Sequence, residues 1–202
     1  MSETAYLGLK NKQDSRISYD YGLESFFNGF DFERNKEMSV ELKQGLTFRM
    51  AEEKDVHLIL YFIKELASYE KMLDQVVATE ALLTEWLFEK KTAEVIFAEL
   101  GGKEIGFALY FHNFSTFLGQ AGLYLEDLYV LPEYRGNGYG KSILKHLAQI
   151  AVARGCGRLE WWCLDWNQPS IDFYLSLGAK AMDEWTVYRI AGDTLLKMAN
   201  EN

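Results

Sequence analysis

The chain of 202 residues has little cysteine, proline or histidine. Its two cysteines, Cys156 and Cys163, are too few for a disulfide framework, and its three histidines show no metal-ligand spacing with them. The sequence has only 2 prolines, and 49% of its residues are hydrophobic. This composition excludes collagenous, mucin-like and largely disordered chains. We therefore expect a globular protein without a metal site, in which both cysteines are reduced and pack as small hydrophobic side chains.

Long hydrophobic runs are also absent from the sequence. No stretch approaches the roughly 18 consecutive apolar residues of a membrane-spanning helix, and the first 30 residues lack the apolar core of a secretory signal. Basic residues are scarce, since 21 Lys and Arg face 30 Asp and Glu for a net charge of -9. This charge repels nucleic-acid phosphates and favours small cationic partners. We expect a cytoplasmic protein that binds neither membranes nor nucleic acid.

The sequence divides into two parts near Leu46. Residues 1–45 carry aromatic side chains scattered among charges without sustained periodicity, whereas regular patterning begins at Leu46. We interpret residues 1–45 as an N-terminal extension, which either folds onto the domain or precedes a true start at Met38. Residues 46–202 are interpreted as one domain.

Hydrophobic spacing in the second part predicts strands and helices in alternation. An apolar stripe from Val56 to Ala67 is typical of an amphipathic helix, and Gly101-Gly102 between two β-rich runs predicts a hairpin. The predicted strands are 46–50, 94–100, 103–112, 123–130, 159–164 and 186–190. Predicted helices begin near Val56, after a Thr79 cap, after Gly140 and near Ser170, with a last helix at the C terminus. The pattern indicates an α/β or α+β domain around one mixed sheet.

A glycine-rich segment, residues 131–142, joins a predicted strand to a predicted helix. At such a junction, backbone N–H groups and the helix dipole can hold a phosphate. Its spacing matches neither of two common nucleotide motifs. A Walker loop has four residues between its first glycine and Gly-Lys-Ser, but three separate Gly136 from Gly140, and a dinucleotide fingerprint has its third glycine one position later.

The pattern Arg135-x-x-Gly138-x-Gly140 resembles the pyrophosphate loop of the GNAT superfamily of N-acetyltransferases. Residues 123–130, LYLEDLYV, and 165–174, DWNQPSIDFY, resemble the diamine (spermidine/spermine) and thialysine acetyltransferase branch of that superfamily. With further matches at 65–70 and 195–199, the resemblance extends from Leu46 to the C terminus. It implies a single GNAT-like domain with a mixed, mostly antiparallel central sheet flanked by helices. The pyrophosphate loop is then expected between strand 4 and the following helix.

Acetyl transfer to an amine first requires removal of a proton. A lysine-like amine with a pKa of about 10.4 is neutral in roughly one molecule in 2,500 at pH 7, a handicap of about 4.6 kcal/mol. Glu126 and Asp127 are candidate bases, although neighbours on a regular strand face opposite sides unless a bulge intervenes. The resemblance implies that Glu126 is the base, acting directly or through water, and that Asp127 attracts the cationic substrate.

The leaving thiolate needs a proton, which a phenol can supply. The resemblance implies that Tyr174 is this general acid and that acetyl-CoA is the cosubstrate. It assigns cofactor binding to Leu128, Tyr129, Val130, Arg135, Gly136, Asn137, Gly138, Tyr139, Gly140, Lys141, Asn167 and Tyr174. Direct attack in a ternary complex is expected, because Cys163 has no histidine near it in the sequence to activate it as a nucleophile.

The resemblance places the acceptor amine near Tyr69, Glu70 and Asp127. Polyamine-specific members of the branch carry an aspartate where this chain has Thr116, which favours thialysine, a lysine-like amino acid or a short diamine over long polyamines. A homodimer is also implied. Two alternatives stay open: an enzyme that acetylates a protein or peptide, and a non-catalytic acyl-CoA-binding sensor.

Overall fold

The computed structural model describes residues 45–201, so the predicted extension lies, except for Gly45, outside the described residues. At its centre is a sheet of five strands in the order β1-β2-β3-β4-β5. Neighbouring strands from β1 to β4 are antiparallel, and β5 is parallel to β4. The strands are β1 (Leu46–Met50), β2 (Glu94–Leu100), β3 (Lys103–Ser115), β4 (Gln120–Val130) and β5 (Leu159–Trp161). The predicted mixed, mostly antiparallel sheet is confirmed.

Helices flank this sheet. They are α1 (Val56–Tyr69), α2 (Glu80–Leu83, extended by a π-helical turn over Thr84–Glu89), α3 (Tyr139–Ala153), α4 (Gln168–Ser176) and α5 (Gly192–Asn200). Local sequence fixes several of their ends. The Thr79 hydroxyl accepts a hydrogen bond from the Leu82 N–H and caps α2 as predicted, and a reciprocal pair between Glu52 and Asp55 forms a capping box before α1. None of the helices within residues 45–201 is long and apolar enough to cross a membrane.

Each face of the sheet carries its own hydrophobic core, because successive side chains of a strand point to opposite faces. On one face Phe62 of α1 packs against Phe97, Phe107 and Tyr129. The core on the other face joins the sheet to α3, and its fully buried members include Tyr110, Leu123, Ile143 and Leu147. The two cores hold the C-terminal end of α1 and the N-terminal end of α3 against the same sheet.

Several predicted strands differ from the structure. Strand β5 ends at Trp161 instead of Leu164, β3 continues to Ser115 instead of ending at residue 112, and β4 begins at Gln120 instead of Leu123. The prediction of a strand over 186–190 was wrong, because this segment has no strand partner among residues 45–201. Several apolar side chains around it are exposed, including Trp185 and Tyr188. Its alternating pattern therefore has nothing to pack against within the described part of one chain.

Candidate active site

A cleft opens where β4 and β5 diverge. The two strands pair only from Leu123–Leu159 to Leu125–Trp161, after which β4 continues to Val130 without a partner on that side. The cleft has a volume of about 780 Å³. Its walls are β4, the loop leading to α3, the segment after β5, helix α4 and the C-terminal end of α1. The cavity is thus lined by the sheet and by helices that flank it.

A β-bulge lies at the centre of the cleft. In the pairing of β3 with β4, Leu109 faces Asp127 and Tyr110 faces Leu125, so Glu126 is an extra residue on β4. A bulge breaks the strict alternation of side chains and bends its strand. Both Glu126 and Asp127 are among the residues that line the cleft.

Three carboxylates meet at this end of the cleft. Glu70, directly after α1, joins Glu126 and Asp127 among the residues that line it. Burial, and then the negative charges of Glu126 and Glu70, raise the pKa of Asp127 to about 7. Burial also raises the pKa of Glu70. The group is poised to bind a cation and, near neutral pH, to accept a proton.

Tyr174 of α4 lies across the cleft from β4. Its ring packs between Trp161, with centroids 5.0 Å apart, and Phe173, with centroids 5.3 Å apart. Burial raises the pKa of Tyr174 to about 12, with smaller contributions from Cys163, Glu70 and Tyr69. The phenol therefore stays protonated at neutral pH, and its hydroxyl makes no hydrogen bond to any of residues 45–201. It is an available proton donor.

The glycine-rich loop supplies an anion site at the other end of the cleft. Gly136 and Gly138 adopt left-handed conformations with φ of 74° and 78°, which other residues adopt only with strain. Gly138 is the N-cap of α3, and the first helical turn contains no acidic residue but does contain Lys141. The first N–H groups of a helix have no partner inside it and carry partial positive charge. Unpaired N–H groups of this kind can hold an anion.

Arg135 contacts both the end of β4 and the C-terminal end of α1. Its Nε donates a 2.8 Å hydrogen bond to the Val130 carbonyl, and its guanidinium lies 4.8 Å from the ring centroids of both Tyr69 and Tyr129. The Tyr69 hydroxyl in turn donates to Asn167 Oδ1 at 3.0 Å. The same oxygen accepts from the Ser170 N–H and caps α4. Arg135 and Asn167 thus have structural contacts in addition to their positions in the cleft.

The structure brings the predicted site residues together with one exception. Asn137 is not among the residues that line the cleft, because its side-chain amide donates to the carbonyls of Tyr134 and Arg135 within the loop. All the others line it: Tyr69, Glu70, Glu126, Asp127, Leu128, Tyr129, Val130, Arg135, Gly136, Gly138, Tyr139, Gly140, Lys141, Asn167 and Tyr174.

Several further residues line the cleft that the sequence analysis did not assign to it. They are Leu66 on α1, Trp161 at the end of β5, Trp162 and Leu164 in the segment after it, and Phe173 on α4. Cys163 also lines it as a partly exposed free thiol, so the expectation of a core cysteine was wrong for this residue. Burial, with the charges of Glu70 and Asp165, raises the pKa of this thiol and disfavours its nucleophilic thiolate. No local pattern in the sequence marks these residues, because their place in the cleft depends on where β5 stops pairing with β4.

Within residues 45–201, no group of three histidine, cysteine, aspartate or glutamate side chains is arranged to hold a metal ion.

The sequence was compared with known proteins. The profile of the family described as Acetyltransferase (GNAT) matches residues 60–179. The chain is 38% identical over 165 residues to thialysine N-epsilon-acetyltransferase of Bos taurus, covering 76% of this chain and 96% of that protein. It is 37% identical over 164 residues to human spermidine/spermine N(1)-acetyltransferase-like protein 1, covering 76% of this chain but 24% of that protein. Among solved structures, the integron cassette protein VCH_CASS6 from V. cholerae matches with a TM-score of 0.66 and 31% identity, over 78% of this chain and 99% of that one.

The raised pKa of Asp127 predicts an effect on stability. The folded-state pKa of about 7 exceeds the ordinary value of 3.8, so folding favours the protonated acid, and stability falls as the pH rises from about 4 through 7. We expect Asp127→Asn to raise the free energy of unfolding at pH 8 by about 2 kcal/mol. The gain should shrink at pH 5 and vanish near pH 3.

Urea denaturation at the three pH values measures this difference. The matched control is Asp74→Asn, which removes an exposed carboxylate outside the cleft and should change stability little at any of them. A wild-type protein that is as stable as Asp127→Asn at pH 8 would contradict the assigned burial of this charge.

Proposed function

The chain belongs to the acetyltransferase (GNAT) family and is an N-acetyltransferase, and we propose that it transfers an acetyl group from acetyl-CoA to the primary amine of a small molecule. The family resemblance inferred from the sequence is thereby confirmed. The observation that carries the proposal is one cleft with three carboxylates at one end, a phenol in its wall and an anion cradle at the other end.

The carboxylates define the acceptor end of the proposed site. Tyr69, Glu70 and Asp127 would hold the incoming ammonium group, and the acidic surroundings favour a cation over a neutral molecule. Similarity to thialysine N-epsilon-acetyltransferases, together with Thr116 in place of an aspartate, supports thialysine, a lysine-like amino acid or a short diamine as acceptor.

Glu126 is proposed to take the proton from the ammonium group, directly or through a water molecule. Its position on the bulge places the carboxylate in the cleft beside Asp127. Asp127 is a second candidate for this base, because its pKa of about 7 suits proton transfer near neutral pH. The neutral amine then attacks the acyl carbon directly.

Acetyl-CoA supplies an acyl group already activated as a thioester. The edge of β4 that β5 leaves unpaired offers main-chain groups of Leu128, Tyr129 and Val130 to the pantetheine amides, with the Val130 carbonyl shared with Arg135. The loop from Arg135 to Lys141 would hold the pyrophosphate. Asn167 lies beside this path, and Tyr174 would return a proton to the departing sulfur.

The proposal includes a cytoplasmic location without nucleic-acid or membrane partners. The net charge of -9 is unfavourable for binding phosphate backbones, and both cysteines are free thiols, as expected in a reducing compartment. It also includes an N-terminal extension over residues 1–45.

We further propose a homodimer. The segment from Met182 to Met198 exposes a series of apolar side chains, including Trp185 and Tyr188, the latter 91% exposed. Contiguous exposed apolar side chains in a globular protein mark an interaction surface. A second copy of the chain would cover them.

Turnover of acetyl-CoA tests the proposed chemistry. At a pH above 8 we expect release of free CoA with thialysine, lysine or putrescine, and slower release with spermidine or a lysine-bearing peptide. Tyr174→Phe should lower kcat by about 10²–10⁴-fold, because it removes the proton donor, while leaving acetyl-CoA affinity within about threefold. Initial rates and calorimetry measure the two effects.

Tyr61→Phe is the matched control, since this exposed tyrosine of α1 lies outside the cleft. Preference for the peptide would favour the protein-acetyltransferase alternative, and acetyl-CoA binding without turnover would favour the sensor. A Tyr174→Phe variant with wild-type kcat would remove this residue from the proposed role.

Light scattering tests the dimer. We expect a particle of twice the mass of the chain at micromolar concentration, and a shift toward the monomer in the double variant Trp185→Ser, Tyr188→Ser. The control is Phe117→Ser, which removes an exposed ring from the hairpin between β3 and β4. A wild-type protein that is monomeric at all concentrations would contradict the proposal.

A further inference from the structure

An aromatic surface continues the cleft beyond the carboxylates. Alternation along β5 and the residue after it places Trp161 and Trp162 on opposite faces of the sheet. Trp161 packs on Tyr174 toward the α3 side, whereas Trp162 packs on Tyr124 toward the α1 side. Trp161 packs on Tyr174, the proposed proton donor, whereas the proposed function gives no role to Trp162.

Trp162 packs on a layer of aromatic side chains within the protein. Tyr124 is only 8% exposed and packs on Phe111, with ring centroids 5.0 Å apart. Trp162 meets Tyr124 edge to face, with centroids 5.8 Å apart and an interplanar angle of 85°. Trp162 itself is 58% exposed. A large ring is therefore held in place on one side and open to solvent on the other.

This surface is continuous with the acceptor end of the proposed site. Trp162 lines the same cleft as Glu126 and Asp127, and Tyr124 is separated from Glu126 along β4 by one residue. An acceptor whose amine lies at the carboxylates therefore occupies the same cleft as the indole of Trp162.

Part of the acidic charge near the surface is already paired. Glu160, two residues before Trp162, is engaged by Arg158 at 2.7 Å and by the Asn113 amide at 2.7 Å. Burial, and then Glu126 and Glu160, raise the pKa of Tyr124, while the positive charge of Arg189 acts in the opposite direction. Charges of both signs thus lie near Tyr124, whereas the exposed face that Trp162 itself offers is an uncharged ring.

We propose that Trp162, supported by Tyr124, is a specificity-determining subsite for an aromatic ring, so that the acceptors of this enzyme include arylalkylamines. These are primary amines joined by a short aliphatic chain to an aryl group. The ring would stack on the exposed indole while the amine lies at Glu126 and Asp127. This inference rests on the proposed acetyl transfer to a small amine and adds a substrate class to it.

Acetylation of 2-phenylethylamine, propylamine and putrescine tests the subsite. For Trp162→Leu we expect the KM for 2-phenylethylamine to rise about tenfold, because an aromatic pair and its buried area are lost. The KM for propylamine should change by less than about twofold, and kcat should be unchanged for both. Trp162→Phe, which restores a ring, should recover most of the affinity for 2-phenylethylamine.

The matched control is Trp86→Leu, which removes an exposed indole that lies outside the cleft. Equal effects of Trp162→Leu on 2-phenylethylamine and propylamine would overturn the subsite, and so would a larger effect on putrescine, which would indicate a second ammonium site. If none of the amines is acetylated, the proposed function fails separately. Calorimetric binding of 2-phenylethylamine then decides the subsite, and equal affinity of wild type and Trp162→Leu would overturn it.

Discussion

The interrupted pairing of β4 with β5 is the constraint on which the site depends. The two strands share only the short stretch from Leu123 to Leu125, and the bulge at Glu126 bends β4 where that pairing stops. One edge of β4 is then unpaired beside the cleft, and two adjacent carboxylates are among the residues that line it. A strand paired with β5 along its whole length would leave no such edge.

The buried carboxylates suit the site to a cation, but their burial lowers the stability of the folded protein. A charged group moved away from water is unfavourable unless it has a partner, and Asp127 lies among Glu126 and Glu70, which share its charge. The apolar packing beneath them, centred on Phe62, compensates for this repulsion. Under the proposed function a cationic acceptor would supply the missing opposite charge, so the same repulsion that weakens the free protein would strengthen binding of an ammonium group.

Local signals in the sequence predicted most of the fold. Thr79 has a capping hydroxyl, Gly101-Gly102 forms a two-residue turn, and Gly138 begins a helix; each effect acts over a few residues and is visible in the sequence. The bulge at Glu126 was not predicted, because it depends on how β4 meets β3. The segment 186–190 has the pattern of a strand but no partner within the described chain, and pairing is not a local property. Likewise, only the fold shows that Arg135 packs between Tyr69 and Tyr129.

The cleft carries charged groups of both signs, and under the proposed function this difference would let one acidic protein bind both an anion and a cation. The N-terminal end of α3, with Lys141 and without acidic residues in its first turn, attracts a pyrophosphate. The carboxylates of Glu70, Glu126 and Asp127 repel that anion and attract an ammonium group. Because each partner is unfavourable at the other's end, the charges orient both ligands before any contact specific to the acetyl group forms. Tyr174, whose ring is fixed by Trp161 and Phe173, lines the same cleft and would return the proton in the proposed reaction.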